Sequence, residues 1–352
     1  MFRPVPSRPV SIQLRESKRQ KTNNTKPAAA APAPAAVGSA LKKKEAPGPV
    51  YEKGIEYWDG IEASVDGVLG GFGNGPVPHI EQLASRLLLL SLIPTLSPFP
   101  NPLTPAASLS PTPAPHRRVV LDVGAGIGRV SRHVLLPLFD DVVLLEPVDK
   151  FVKEAYRAAS SGEWRDVPVL SSSDSSAGSN NVNGASEELQ KENKRRVDEY
   201  NKGRGKRVRI IKRGLQGLDP RFPGQEGEEL GIVGEPRGGV TSGGCGNVGD
   251  EVVYDTIWAQ WCLGHMSHVD LINFLKLSKK ALRESDDAYI FVKENCCDDG
   301  PDGVGQEFLD EEDSSLTRSH QKWRDCFIEA GLKIIKEEVQ QGMPEELFVV
   351  KT

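Results

Sequence analysis

Residues 119–146, VVLDVGAGIGRVSRHVLLPLFDDVVLLE, constrain the fold of this 352-residue chain more than any other stretch. Val119 to Val123 is a short apolar run rich in β-branched residues, the pattern of a strand buried on both faces of a parallel sheet. Gly124-Ala125-Gly126-Ile127-Gly128 follows as a tight turn. Val130, Val134, Leu135 and Leu138 then recur at helical spacing across 129–139, with Pro137 near the end. A second apolar run, Val142 to Leu145, closes on Glu146. Strand, glycine turn, helix, strand and acid make half of a doubly wound nucleotide-binding sheet.

Each residue type has a physical use. Glycine lets the turn take unusual dihedrals and lets a ligand touch bare backbone. An acid at the end of the second strand can accept two hydrogen bonds from ribose hydroxyls. The spacing is G-x-G-x-G, and Arg129 stands where the dinucleotide pattern G-x-G-x-x-G has its last glycine. A bulky side chain there opposes close approach of a pyrophosphate. An S-adenosyl compound has no phosphate, and its carboxylate can pair with an arginine.

Charge narrows the ligands further. The formal net charge of −5 hides an asymmetry: residues 1–50 hold ten Lys+Arg against two Asp+Glu, a net of +8, and the rest carries −13. An acidic body does not suit a nucleic-acid-binding core. It does suit a cationic substrate, because a negative cleft steers positive ligands inward. The five cysteines, Cys245, Cys262, Cys296, Cys297 and Cys326, form no C-x-x-C pair and no zinc spacing, so no metal is expected and reduced thiols are the reading. No apolar run reaches the roughly 18 to 20 residues that span a bilayer, so no membrane partner is expected. The N-terminus lacks the apolar core of a secretory signal.

In chain order, residues 1–48 are rich in Pro, Ala and Lys and read as a disordered basic tail, leaving 49–352 as one domain. The clusters Arg15–Lys21 and Lys42–Lys44 are open to two readings, a nuclear address or a solvated tail. Residues 51–75 mix aromatics with glycine, so Tyr57, Trp58 and Phe72 form either a local core or a hinged lid. His79 to Leu92 reads as an amphipathic helix with Ile80, Leu83, Leu87 and Leu90 on one face. Low-complexity inserts near 94–116, 171–206 and 219–250 read as surface loops. Between them, 208–212, 254–258 and 288–292 continue the sheet, Ser267 and Asp270 form a capping box, and 332–339 with 347–350 make a closing strand pair. The sum is an α/β chain with seven strands, mostly parallel, and helices on both faces.

Six motifs now go together: Tyr57-Trp58, Val65 to Gly71, Asp122 to Arg129, Trp258 to His265, Lys293-Glu294-Asn295 and Asp313-Ser314-Ser315. Over about residues 51–350, inserts apart, they resemble the eukaryotic protein α-N-terminal methyltransferases. Those enzymes methylate the free amine of proteins beginning Xaa-Pro-Lys or similar after loss of Met. The resemblance implies a Rossmann-like class I S-adenosylmethionine-dependent methyltransferase fold, S-adenosylmethionine as cofactor, and protein N-termini beginning Xaa-Pro-Lys/Arg as partners, ribosomal or chromatin-associated by analogy. It implies work in the cytoplasm, with the nucleus left open by the tail.

The same resemblance implies roles. Gly124, Gly126 and Arg129 would hold the methionine part of the cofactor, Glu146 the ribose, Leu215 and Gln216 the adenine, and Gln260 the amino-acid end. Trp58, Leu69 and Gly70 would form the lid. Trp261 would face the second-position proline, Asn295 would bind substrate backbone, and Asp313 with His265 would sit near the reacting amine. Asp310 and Ser315 would recognise the third-position lysine. Phe348 stands where the family often has Tyr, which removes a hydroxyl contact to substrate.

On sequence alone, a lone His or Trp at a strand end is more often structural, and the run Asp310–Asp313 can be a plain solvated loop. Two other functions use the same turn: an NAD-binding oxidoreductase, which Arg129 disfavours, and a noncatalytic nucleotide-binding module. Glu146→Ala is expected to weaken cofactor binding with little effect on folding.

Overall fold

A computed structural model describes residues 48–97, 117–167, 205–234, 244–247, 249–345 and 347–352, with Glu188 and Lys191. The basic tail to residue 47 and most of the segments 94–116 and 171–206 lie outside the described residues. Helices α1 (Tyr51–Gly60), α2 (Val65–Val68) and α3 (Val77–Leu92) lead into β1 (Val119–Val123) and β2 (Asp141–Glu146). There follow α4 (Asp149–Ser160), β3 (Arg207–Lys212), β4 (Glu228–Val233), β5 (Thr256–Gln260), α5 (His268–Ala281) and β6 (Tyr289–Cys297). β7 (Glu307–Asp310), β8 (Ser315–Ser319), α6 (His320–Glu329) and β9 (Val349–Lys351) end the chain.

The strand order is β4-β3-β2-β1-β5-β6-β8-β7, with β9 on β6. β1, β2, β3, β5 and β6 run parallel, and β4, β7 and β9 pair antiparallel. Every residue of β1 and β2 is buried, as strands covered on both faces require. Side chains alternate between two cores. Val119, Leu121 and Val123 pack in the core that holds Leu271 and Leu275 of α5 and Trp323 of α6. Val120, Val142 and Leu144 pack in the core that holds Leu88 and Leu89 of α3 and Val152 and Ala155 of α4. Helices therefore cover both faces, as expected.

Five local expectations need correction. Among the described residues the sheet has nine strands instead of seven. β4 arises inside 219–250, which was read as a surface insert. It is an edge strand whose Glu229 is committed to the buried Arg209 at 2.8 Å, so its sequence looks polar and glycine-rich. Residues 332–339 are not a strand; they touch β9 through a bridge at Val339. The helix read across 129–139 includes a π-helical turn, Ser131–Leu135. Pro137 has no N–H to give the His133 carbonyl, and that oxygen instead accepts from Arg86 Nε at 2.6 Å.

α3 is the instructive correction. Leu83 and Leu87 are 60% and 58% exposed, while Glu81 and Ser85 are buried. A helical wheel sorts residues by polarity, but buried cations waiting on the sheet reverse the choice of face.

Candidate active site

The chain reverses direction of winding between β1 and β5, the point at which open α/β sheets hold ligands beyond the strands' carboxyl ends. A cavity of about 380 Å³ lies there. Gly124, Gly126, Arg129, Glu146, Leu215, Gln216 and Gln260 line it, as do Trp58, Leu69, Gly70, Trp261, His265, Asn295, Asp313 and Ser315. One site residue expected from the sequence, Asp310, does not. It pairs with Ser315 across the β7–β8 hairpin, and its Oδ1 accepts from Glu312 N at 2.9 Å, fixing the hairpin tip. Phe348 is also outside the cavity and 54% exposed.

The turn after β1 shows why glycine is needed twice for different reasons. A Cβ on Gly124 would lie 2.3 Å from Cys262 Cβ, so packing forbids it. Gly126 has φ +58 and only Val68 within 4 Å of such a Cβ, so its backbone stays bare to the cavity. Gly126 N donates to Glu146 Oε2 at 2.7 Å, and Val148 N donates to Oε1 at 2.8 Å. Glu146 therefore braces the turn as well as facing the cavity, and Glu146→Ala removes two backbone contacts that the sequence reading did not count. Burial pushes its carboxyl up to about 7 against those two donors. Burial does the same to Asp122, which accepts from Ser131 Oγ at 2.6 Å.

Gln260 Oε1 accepts from Trp258 Nε1 at 3.1 Å, which leaves the Nε2 donor buried and without a partner. That donor, the bare Gly126 backbone and the Glu146 carboxylate suit a ligand with an amino-acid end and a ribose. The residues present fit S-adenosylmethionine. Gly126, Arg129 and Gln260 would hold its methionine part, Glu146 its ribose, and Leu215 with Gln216 its adenine.

The opposite wall comes from distant segments. Trp261 has φ +54, a left-handed conformation that costs a bulky residue about 1–3 kcal/mol. Its N–H donates to Lys293 O at 3.0 Å, and the next two amides, Cys262 N and Leu263 N, both donate to Glu294 Oε1 at 2.9 Å. Glu294 is buried, and burial pushes it up to about 7. It was missed in the sequence, although an acid at a strand end beside Asn295 was a signal. His265 Nε2 accepts from Trp58 Nε1 at 3.1 Å, which assigns the proton of the neutral ring to Nδ1. Burial lowers the His265 pKa, with Asp313 opposing, so the ring is neutral near pH 7.

α1 covers this wall, so Trp58 packs against the cavity and not in a separate core. Val50 N donates to Ser314 Oγ at 2.7 Å, and Tyr51 OH donates to Asp270. Gly54 lets the helix approach: a Cβ there would stand 3.2 Å from both His265 Nδ1 and Asp313 O. Trp261 Nε1, His265 Nδ1 and Asp313 Oδ1 are buried without a hydrogen-bond partner. The acidic run is the turn between β7 and β8, and the charges of Glu312, Asp313 and Asp310, behind burial, raise the Tyr57 pKa.

A Rossmann-like sheet with this cavity defines an S-adenosylmethionine-dependent methyltransferase. A solved S-adenosylmethionine-dependent methyltransferase from Leishmania major superposes with a TM-score of 0.52 at 25% identity, over 86% of this chain and 80% of that one. Residues 46–168 and 246–352 match the family described as AdoMet-dependent proline di-methyltransferases, and the chain belongs to that family. The alpha N-terminal protein methyltransferase 1 of Arabidopsis thaliana is 28% identical over 301 residues, covering 86% of this chain and 77% of its own. The N-terminal Xaa-Pro-Lys N-methyltransferase 1 of Mus musculus is 27% identical over 301 residues, covering 85% and 92%.

Proposed function

We propose that this chain transfers methyl groups from S-adenosylmethionine to the free α-amine of proteins beginning Xaa-Pro-Lys or Xaa-Pro-Arg. The observation that carries the reading is the junction of two walls in one cavity: the glycine turn with Glu146 and Gln260, and Trp261 with His265, Asn295 and Asp313. When bound, S-adenosylmethionine supplies an electrophilic methyl carbon on a sulfonium. The chain's residues supply placement. Trp261 offers an indole face to a prolyl ring, and proline brings no N–H that would need a partner. Asn295 holds the substrate backbone. Asp313 Oδ1, buried and unpartnered, receives the ammonium and takes its proton. His265, neutral and fixed by Trp58, sits beside the amine, whose lone pair must stay free for the methyl carbon.

The reference pKa of an α-amine is about 8, so roughly a tenth is neutral at pH 7 and a general base has little left to supply. Alignment of a neutral nitrogen with the methyl carbon carries most of the acceleration. Asp310 on the hairpin rim and Ser315 in the cavity favour a cation at the third position. Ribosomal and chromatin-associated proteins are the substrates the family resemblance suggests, with the cytoplasm as compartment and the basic tail as the feature that opens the nucleus.

A peptide panel tests the reading. Methyl incorporation into Ser-Pro-Lys, Ser-Ala-Lys and Ser-Pro-Glu peptides is followed by mass spectrometry. Ser-Pro-Lys is expected to be methylated far faster than the others. Equal rates on all three remove Trp261 and the acidic hairpin from recognition.

A further inference from the structure

Glu81 is the buried acid that the cavity's chemistry leaves without a task. It sits in the middle of α3 at 0% exposure, and a carboxylate leaves water only where partners meet it. Those partners are Arg129 through Nη1, Ser85 Oγ at 3.0 Å and Lys293 Nζ at 3.3 Å. Lys293 is itself 1% exposed and donates to Ser85 Oγ at 3.0 Å. Two cations thus meet Glu81, and Asp122 is a second buried acid close enough to act on Arg129. Arg129 lines the cavity, and among the described residues only its Nη1 makes a hydrogen bond. Its guanidinium stands 5.9 Å from the Trp261 ring centre, and the Lys293 carbonyl oxygen accepts from Trp261 N at 3.0 Å.

We propose that Glu81 is a positioning residue for the transfer reaction, fixing Arg129 through Nη1 so that its remaining nitrogens meet the carboxylate of S-adenosylmethionine. The proposal rests on the cofactor reading above. Guanidinium–carboxylate pairing is directional, so a fork held in place binds better than a loose one. Lys293 supplies the second positive charge that Glu81 would otherwise cancel.

Calorimetry on the full chain tests this with two ligands. S-adenosylhomocysteine carries the carboxylate and 5′-methylthioadenosine lacks it. Glu81→Gln keeps the shape and an acceptor for Arg129. Its affinity for S-adenosylhomocysteine is expected to fall about tenfold, the size of one charge-assisted hydrogen bond, with less than about a twofold change for methylthioadenosine. Glu81→Asp keeps the charge, and with it the fold, but draws the oxygens back by one methylene; its preference for the carboxylate ligand falls by a smaller factor, about threefold. Equal weakening of both ligands, or an unchanged preference at a lower melting temperature, makes Glu81 a strut between α3 and β6 and overturns the proposal. A preference that rises on substitution also overturns it, because Glu81 would then be competing with the ligand for Arg129. A wild-type chain that binds neither ligand overturns the cofactor reading itself, and the proposal with it.

Discussion

The two walls of the cavity are built by opposite rules. On the glycine-turn wall most polar groups already answer one another. Glu146 accepts from Gly126 and Val148, Asp122 accepts from Ser131, and Arg129 is held by Glu81 through Nη1; the remaining nitrogens of Arg129 and Gln260 Nε2 are the exceptions. On the Trp261 wall, Trp261 Nε1, His265 Nδ1 and Asp313 Oδ1 are buried with no partner. A buried polar group left unpaired costs about 1–3 kcal/mol. The first wall is a finished mould, whereas the second holds back hydrogen bonds that a peptide's amine and backbone can complete. On the proposed reading, cofactor recognition resides in the fold, and substrate recognition in α1, Trp261 and the hairpin.

Asp313→Asn is the sharpest way to break that division. It should lower kcat/KM on a Ser-Pro-Lys peptide by at least about a hundredfold, through lost charge and alignment. Affinity for S-adenosylhomocysteine should stay within about twofold, and the melting temperature should not fall, since no existing hydrogen bond of its Oδ1 is lost. A parallel loss of cofactor affinity would show that the walls are one unit.

Glu146→Gln probes the finished wall. It should weaken S-adenosylhomocysteine about tenfold or more by calorimetry and lower stability by about 1–3 kcal/mol, because the new amide meets a backbone N–H with a donor. Turnover at saturating cofactor should be kept.

A pH titration sharpens the same point. Burial raises the Glu146 carboxyl from 4.5 to about 7. Without ligand, its contribution to stability is fully present below 4.5 and is lost as pH rises through about 7. Ribose hydroxyls favour the ionised form, so binding has the opposite sign. Affinity for S-adenosylhomocysteine should climb as pH rises toward about 7, by at most about tenfold per unit for one proton, and Glu146→Gln should flatten the climb.

The smallest effect is expected from the tail. A chain lacking residues 1–48 should keep its turnover on a Ser-Pro-Lys peptide within about twofold, because the described residues that line the cavity begin at Tyr51. A large loss with folding intact would bring a third region into the comparison.

The same contrast explains what the sequence disclosed. The strand, turn and acid of the first wall lie within 119–146, so periodicity and glycine spacing were enough to place them. The second wall joins α1, the end of β5, β6 and the β7–β8 hairpin, and only the family resemblance brought those residues together. Asp310 to Asp313 stayed open between a solvated loop and a substrate contact, because a charge run and a hairpin tip look alike in sequence. Glu81 and Ser85 drew no reading from sequence, because their buried partner Lys293 lies more than two hundred residues away. β4 was hidden by glycines and by a glutamate whose partner, Arg209, lies on the neighbouring strand.

The site of the methyl group tests the account most directly. The chain is incubated with S-adenosylmethionine and a Ser-Pro-Lys-Arg peptide, either free or α-acetylated, and the product is sequenced by tandem mass spectrometry. The account predicts methylation on the α-nitrogen of the free peptide and none on the acetylated one, because acetylation removes the nucleophilic lone pair. A methyl group on the lysine side chain of the acetylated peptide would contradict it, and with it the roles assigned to Trp261, His265 and Asp313.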